Sequence, residues 1–146
     1  MENEVLLQVK GLSFTYGEEP VLKDVNLIIR RGEKIAVMGS NGAGKSTILK
    51  SVIRQLNLLG GAVYLDGARM SDMPEKEIAR RMAILMTERI HPELMTCEDA
   101  VGTGRYPYTG RMGILGAGGR RKVREGLEQE HAGEPAGRFF TAVSDR

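Results

Sequence analysis

Eight consecutive residues, Gly39-Ser40-Asn41-Gly42-Ala43-Gly44-Lys45-Ser46, fit the pattern GxxxxGK[ST]. Those types at that spacing suit phosphate binding. Glycine lets the backbone curl close to an anion and turn successive N–H groups inward. A helix that starts at the anion adds its positive end. Lys45 supplies a cation for the β- and γ-phosphates, and the hydroxyl of Ser46 is a ligand for Mg²⁺. The flanks agree. Before the loop, Ile35-Ala36-Val37-Met38 is an apolar run suited to a strand covered on both faces. After it, Ile48, Leu49, Val52, Ile53 and Leu56 recur at helical spacing. A glycine-rich turn without a ligand is the plainer alternative, and these flanks weigh against it. Tyr16 lies 23 residues before Gly39 on a strand end, where an aromatic ring can stack on a purine. Without the loop, a half-buried strand tyrosine would be the better reading. No NKxD motif is present to read a guanine base.

Several elements must position this loop. Val5 to Val9, Leu12 to Tyr16 and the alternating Val25, Leu27 and Ile29 read as short antiparallel strands with one buried face. Turns are expected at Gly17–Pro20 and Arg31-Gly32-Glu33. Ala62 to Leu65 reads as a strand, and Asp66-Gly67 as a hairpin turn rather than a second acidic motif. Pro74 opens a short helix with Ile78 and Met82 inside. Met82 to Met86 reads as a second buried strand. Beyond Thr87 the pattern weakens. Thr96 caps a helix through Gly102, with Glu98 and Asp99 in its first turn. Residues 120–131 form another helix, with Val123 and Leu127 on one face.

Composition narrows the class. At 146 residues the chain is one domain in size, and Lys plus Arg exceeds Asp plus Glu by only 21 − 19 = 2. That gives no reason to expect a nucleic-acid partner, and the run Arg120 to Arg124 is followed by Glu125, Glu128 and Glu130 as a solvated face would be. Glycine is the outlier at 19 residues, concentrated after Val101. A single cysteine, Cys97, builds neither an internal disulfide nor a metal cluster, so a reducing compartment is the default. No apolar run approaches a membrane span, and the N-terminus lacks a signal-peptide pattern. His91 and His131 have no ligand partner at metal spacing and read as solvated.

The chain resembles the ATP-binding subunits of ABC transporters over nearly its whole length. The resemblance rests on Leu12-Ser13-Phe14-Thr15-Tyr16-Gly17, Leu22-Lys23-Asp24-Val25-Asn26-Leu27, Arg31-Gly32-Glu33, Gly39 to Thr47 and Gly61 to Gly67. The stretch Val101-Gly102-Thr103-Gly104-Arg105-Tyr106-Pro107-Tyr108 is similar to importers for iron-siderophore, haem and cobalamin. The resemblance implies an α/β P-loop NTPase core with an N-terminal antiparallel β subdomain. It implies ATP and Mg²⁺ as ligands, with Tyr16 on adenine, Gly39 to Thr47 on the triphosphate and Ser46 on Mg²⁺. It also implies membrane permease subunits as partners, a second ATP-binding subunit in a homodimer, and a place at the inner face of the cell membrane. Thr96 to Gly110 falls where family members meet the permease.

Two departures qualify this. The family's glutamine after the strand ending near Met86 is replaced by Thr87, and Glu88 is the candidate substitute on Mg²⁺. The signature motif, the Walker B aspartate, the catalytic glutamate and the switch histidine are not in the sequence. Ala142-Val143-Ser144-Asp145 is similar to the start of a signature motif, and the chain reads as truncated before the second half of the ABC ATPase fold. Residues 1–86 are expected to form the nucleotide-binding core, and 87–146 the start of a helical subdomain. No catalytic residue is assigned, and the chain binds ATP at most. An unfinished parallel sheet would leave an open edge and an exposed apolar face. The alternatives are a small P-loop kinase or other NTPase, and a non-catalytic nucleotide-binding fragment completed in trans.

Overall fold

The computed structural model describes residues 4–85, 94–110, 112–130 and 137. The chain forms two units, Met1–Met73 and Pro74–Arg146.

The first unit is built on an antiparallel sheet with strand order β2-β1-β3-β4. β1 spans Val5–Thr15, β2 Pro20–Arg30, β3 Gly60–Leu65 and β4 Ala68–Arg69. Leu7 and Val9 point to the core, and so do Leu12 and Phe14. A period of two would not carry Val9 onto Leu12. The phase slips at Gly11, where φ is +58° and the pairing with β2 shifts register. This is a β-bulge. It joins the two expected strands, 5–9 and 12–16, into one. Leu22, Val63, Leu65, Met70 and Met73 complete the buried set. Asp66 and Gly67 take φ of +49° and +79° between β3 and β4, the two positive φ values that a type I′ hairpin turn requires. The Asp66 carboxylate also accepts a bond from Arg31, 2.5 Å away.

The helix α1 spans Lys45–Val52 and packs beside β2. It stops one turn short of the apolar pattern, which ran to Leu56. Its buried residues are Thr47 and Ser51, not the expected apolar stripe, and Leu49 is 55% exposed. The expected buried strands correct in the same direction. Residues 34–38 and 82–85 belong to no strand, and Ile35, Val37, Met38, Ile84 and Leu85 are exposed. A run that is apolar on both faces becomes a strand only where neighbours pair with it, and the described sheet pairs with neither. Met86 lies outside the described residues.

The second unit holds α2 (Glu75–Arg81), α3 (Cys97–Thr103) and α4 (Ala117–Gln129). Its core joins Cys97, Val123 and Leu127, with Leu115 packed against them. The lone thiol is therefore buried among apolar side chains. Thr96 caps α3 in a full capping box: the Asp99 N–H donates to Thr96 Oγ1 at 3.1 Å, and the Thr96 N–H donates to the Asp99 carboxylate at 3.2 Å. Bonds from the Thr96 hydroxyl and then its N–H hold the Asp99 carboxyl below its ordinary pKa. A depressed acid adds stability above its unfolded pKa and loses it as pH falls through the lowered value. We expect Thr96→Ala to cost about 1 kcal/mol. Urea melts at neutral pH and at successively lower pH check it: the penalty should shrink as pH falls through the lowered Asp99 value, where the carboxylate half of the box is lost.

Candidate functional site

The loop between residue 39 and α1 has the backbone its glycines predict. Gly42 and Gly44 sit at φ of +84° and +88°. A Cβ on Gly44 would come within 3.1 Å of Leu22 Cδ2, so this glycine lets the loop close down on β2. Gly44 is the N-cap of α1 and supplies no side-chain cap. The first backbone bond into the helix runs from the Ile48 N–H to Gly44 O at 2.9 Å. Among the described residues, the N–H groups of Lys45, Ser46 and Thr47 thus have no backbone acceptor. They are the unmatched donors that open any helix. The ammonium of Lys45 donates to Gly39 O at 2.8 Å and Ser40 O at 2.6 Å, which anchors the cation over the start of the loop. Ser40, Asn41, Gly42, Ala43 and Ser46 are exposed, while Thr47 is buried under the helix.

These groups can hold an anion. They offer helix N–H donors, a glycine-rich turn and one ammonium, with no carboxylate among them. The exposed Ser46 hydroxyl at the second residue of α1 fits a Mg²⁺ ligand beside a bound phosphate.

Tyr16 is tied to the loop through packing. Leu22 lies against the Gly44 position and pairs across the hairpin with Phe14. The Phe14 and Tyr16 rings meet edge to face, with centroids 4.7 Å apart. Tyr16 itself is 68% exposed, which leaves its ring open to a ligand. The hairpin that packs Leu22 against Gly44 thus also carries Tyr16, just past the end of β1. Glu88, the second Mg²⁺ candidate, lies outside the described residues, as do Thr87, His91, His131 and Ser144. Among the described residues no group of His, Cys, Asp and Glu could hold a metal ion by itself.

A protein-family model described as ABC transporter matches residues 22–141. The chain belongs to the ABC transporter family. An ABC transporter ATP-binding protein of Methanocaldococcus jannaschii is 38% identical over 96% of this chain and 48% of its own length. The iron(3+)-hydroxamate import ATP-binding protein of Bacillus subtilis is 36% identical over 94% of this chain and 51% of its own. A solved ATP-binding subunit of an ABC transporter superposes with a TM-score of 0.75 at 31% identity, over 92% of this chain and 54% of that one. The chain thus spans about half the length of the curated relatives it matches. ABC ATPases bind ATP. The ABC fold agrees with an antiparallel N-terminal sheet followed by helices.

One feature of the second unit was not read from the sequence. The Arg105 guanidinium lies 3.9 Å from the Tyr108 ring centroid, with Arg80 at 5.4 Å, and Lys76 Nζ lies 4.6 Å from Tyr106. Lys76 and Arg80 also donate to Thr109 O and Pro107 O. Both tyrosines stay exposed. The available signal was Lys76 and Arg80 at i, i+4 on α2, with Tyr106-Pro107-Tyr108 as a candidate aromatic partner. Among the described residues no helix is long and apolar enough to cross a membrane.

Proposed function

We propose that the chain is the nucleotide-binding part of an ABC importer's ATP-binding subunit. The observation that carries this is the loop from Gly39 to Ser46, with its uncapped helix start and anchored Lys45. Gly39, Ser40, Asn41, Gly42, Ala43, Gly44, Lys45, Ser46 and Thr47 bind the triphosphate, and Tyr16 stacks on adenine. Mg²⁺, when bound, draws charge from the phosphate oxygens and fixes their geometry. Ser46 holds that ion, and Glu88 is the second candidate ligand. Residues 1–86 act as the nucleotide core, and 87–146 as the start of a helical subdomain.

The transported cargo is an iron chelate or cobalamin. The hydroxamate import role named for the Bacillus subtilis relative supports this, as does the Val101 to Tyr108 stretch. The partners are permease subunits, which bring the chain to the inner face of the membrane, and a second ATP-binding subunit. The exposed Tyr106 and Tyr108, backed by Lys76, Arg80 and Arg105, form a firm aromatic surface that suits the permease contact. Hydrolysis needs a base and a polarised water. Among the described residues none beside the loop supplies that base, which supports reading this chain as one that binds nucleotide without turning it over by itself.

The test is equilibrium binding of ATP with Mg²⁺ and with EDTA. Wild type should bind more tightly with Mg²⁺. Ser46→Ala should lose most of that gain, about tenfold for one charge-assisted contact. An unchanged Mg²⁺ effect would remove Ser46 from the metal site. Sustained Lys45-dependent hydrolysis by the pure chain would contradict the reading of binding without turnover.

A further inference from the structure

The turn that carries Tyr16 is closed by a side chain. β1 ends at Thr15, β2 begins at Pro20, and these two residues face each other across the hairpin. Proline has no N–H, so no backbone bond can close the hairpin from that side. Among the described residues, 16–19 make no backbone–backbone hydrogen bond. The Thr15 hydroxyl takes over this task. It faces the Gly17 carbonyl at 2.5 Å and the Glu19 carbonyl at 2.6 Å, which share its one proton. Its oxygen accepts from the Gly17 N–H at 3.0 Å. Threonine hydroxyls make such local bonds where the backbone has none to offer. Tyr16 is the residue these bonds span. Its ring rests on Phe14 edge to face, with centroids 4.7 Å apart, and stays 68% exposed.

We propose that Thr15 is a positioning residue for base recognition: its hydroxyl holds the turn in the shape that presents the Tyr16 ring. The proposal rests on Tyr16 stacking on adenine, as read above. A base stacked on an aromatic ring strengthens binding about 5- to 150-fold. That gain is reduced when the ring must first be ordered, because ordering a free turn costs entropy at the moment of binding. The Thr15 hydroxyl removes this cost beforehand. Its bonds all lie within residues 15–19, and none reaches the loop from Gly39 to Ser46. Its effect should therefore reach ATP through the base and not through the phosphates.

The experiment compares Mg-ATP with Mg-tripolyphosphate, which keeps the phosphates and lacks the base. Affinities are measured by calorimetry on the full 146-residue chain. Thr15→Val keeps the β-branched shape at the end of β1 and deletes the hydroxyl. ATP affinity should fall about 5- to 10-fold, the factor for ordering roughly one residue. Tripolyphosphate affinity should stay unchanged, and Thr15→Ser should restore ATP binding. With Tyr16→Ala already present, Thr15→Val should cost nothing further, because the two residues act through one ring.

Equal losses for ATP and tripolyphosphate would overturn the proposal. So would an ATP loss that persists without the Tyr16 ring. Loss of the cooperative melt in Thr15→Val without ligand would make Thr15 a folding residue and overturn it as well. ATP binding that Tyr16→Ala weakens and Thr15→Val leaves alone would overturn the positioning role while the stacking stood. Wild type that binds tripolyphosphate as tightly as ATP would overturn the stacking and the proposal together, with phosphate recognition by the loop intact.

Discussion

Lys45→Ala should weaken Mg-ATP binding by roughly one to two powers of ten and leave the fold almost untouched. The ammonium is the one cation within the loop, and a hydrogen bond to a charged group contributes about 1.5–3 kcal/mol. At 1.4 kcal/mol per tenfold, that is the stated range. Its two present acceptors, Gly39 O and Ser40 O, lie in an exposed stretch where water replaces the lost donor. The thermal midpoint without nucleotide should therefore barely move. A nucleotide-affinity titration beside an apo melt separates the two effects. If affinity held, phosphate recognition would belong elsewhere in the chain. If the apo melt collapsed, Lys45 would be a structural residue.

The second large effect lies in the sheet. Leu12 is fully buried, on the central strand just past the bulge at Gly11. Truncating such a leucine to alanine costs about 2–5 kcal/mol, set by how far the site collapses. A unit this small has little stability to spare. Leu12→Ala should therefore remove much or all of the cooperative melt. Gly61→Ala tests the same junction from the facing strand. Gly61 has φ +89°, and an added Cβ would sit 2.5 Å from Gly11 O. Backbone on both sides cannot step away, so we expect loss well beyond the ~1 kcal/mol of an ordinary glycine substitution. Urea midpoints for both variants check this. A midpoint near wild type for either would mean that the strands can repack without the bulge.

The loop was legible because its chemistry is local. Glycines at 39, 42 and 44, then Lys45 and Ser46, fix backbone and charge within a few residues of one another. The cap at Thr96 and the paired Val123 and Leu127 were legible for the same reason: each is a short-range pattern with one structural solution. Gly11 shows a partial reading. Its neighbours looked like two strands because alternation broke between Val9 and Leu12. The break is a bulge, which needs the partner strand to be seen. Residues 34–38 and 82–85 show the limit. Their apolar runs encode burial, yet burial is supplied by neighbours, and nothing in a five-residue run reports whether neighbours pair. The same holds for α1, whose stripe of Ile48, Leu49, Val52 and Ile53 called for cover that the first unit does not give Leu49. Besides the neighbouring Arg105, the tyrosines at 106 and 108 meet Lys76 and Arg80 from about 30 residues earlier in the chain, a separation that periodicity does not register.

The most direct test of the central claim is a thermal melt by circular dichroism with and without Mg-ATP, with Lys45→Ala alongside. A ligand that binds only the folded state adds RT ln(1 + [L]/Kd), about 2.7 kcal/mol at a hundredfold excess over Kd. The account predicts a cooperative transition that rises with Mg-ATP in wild type and stays still in Lys45→Ala. A cooperative transition that Mg-ATP leaves unmoved, or moves equally in both proteins, would contradict it.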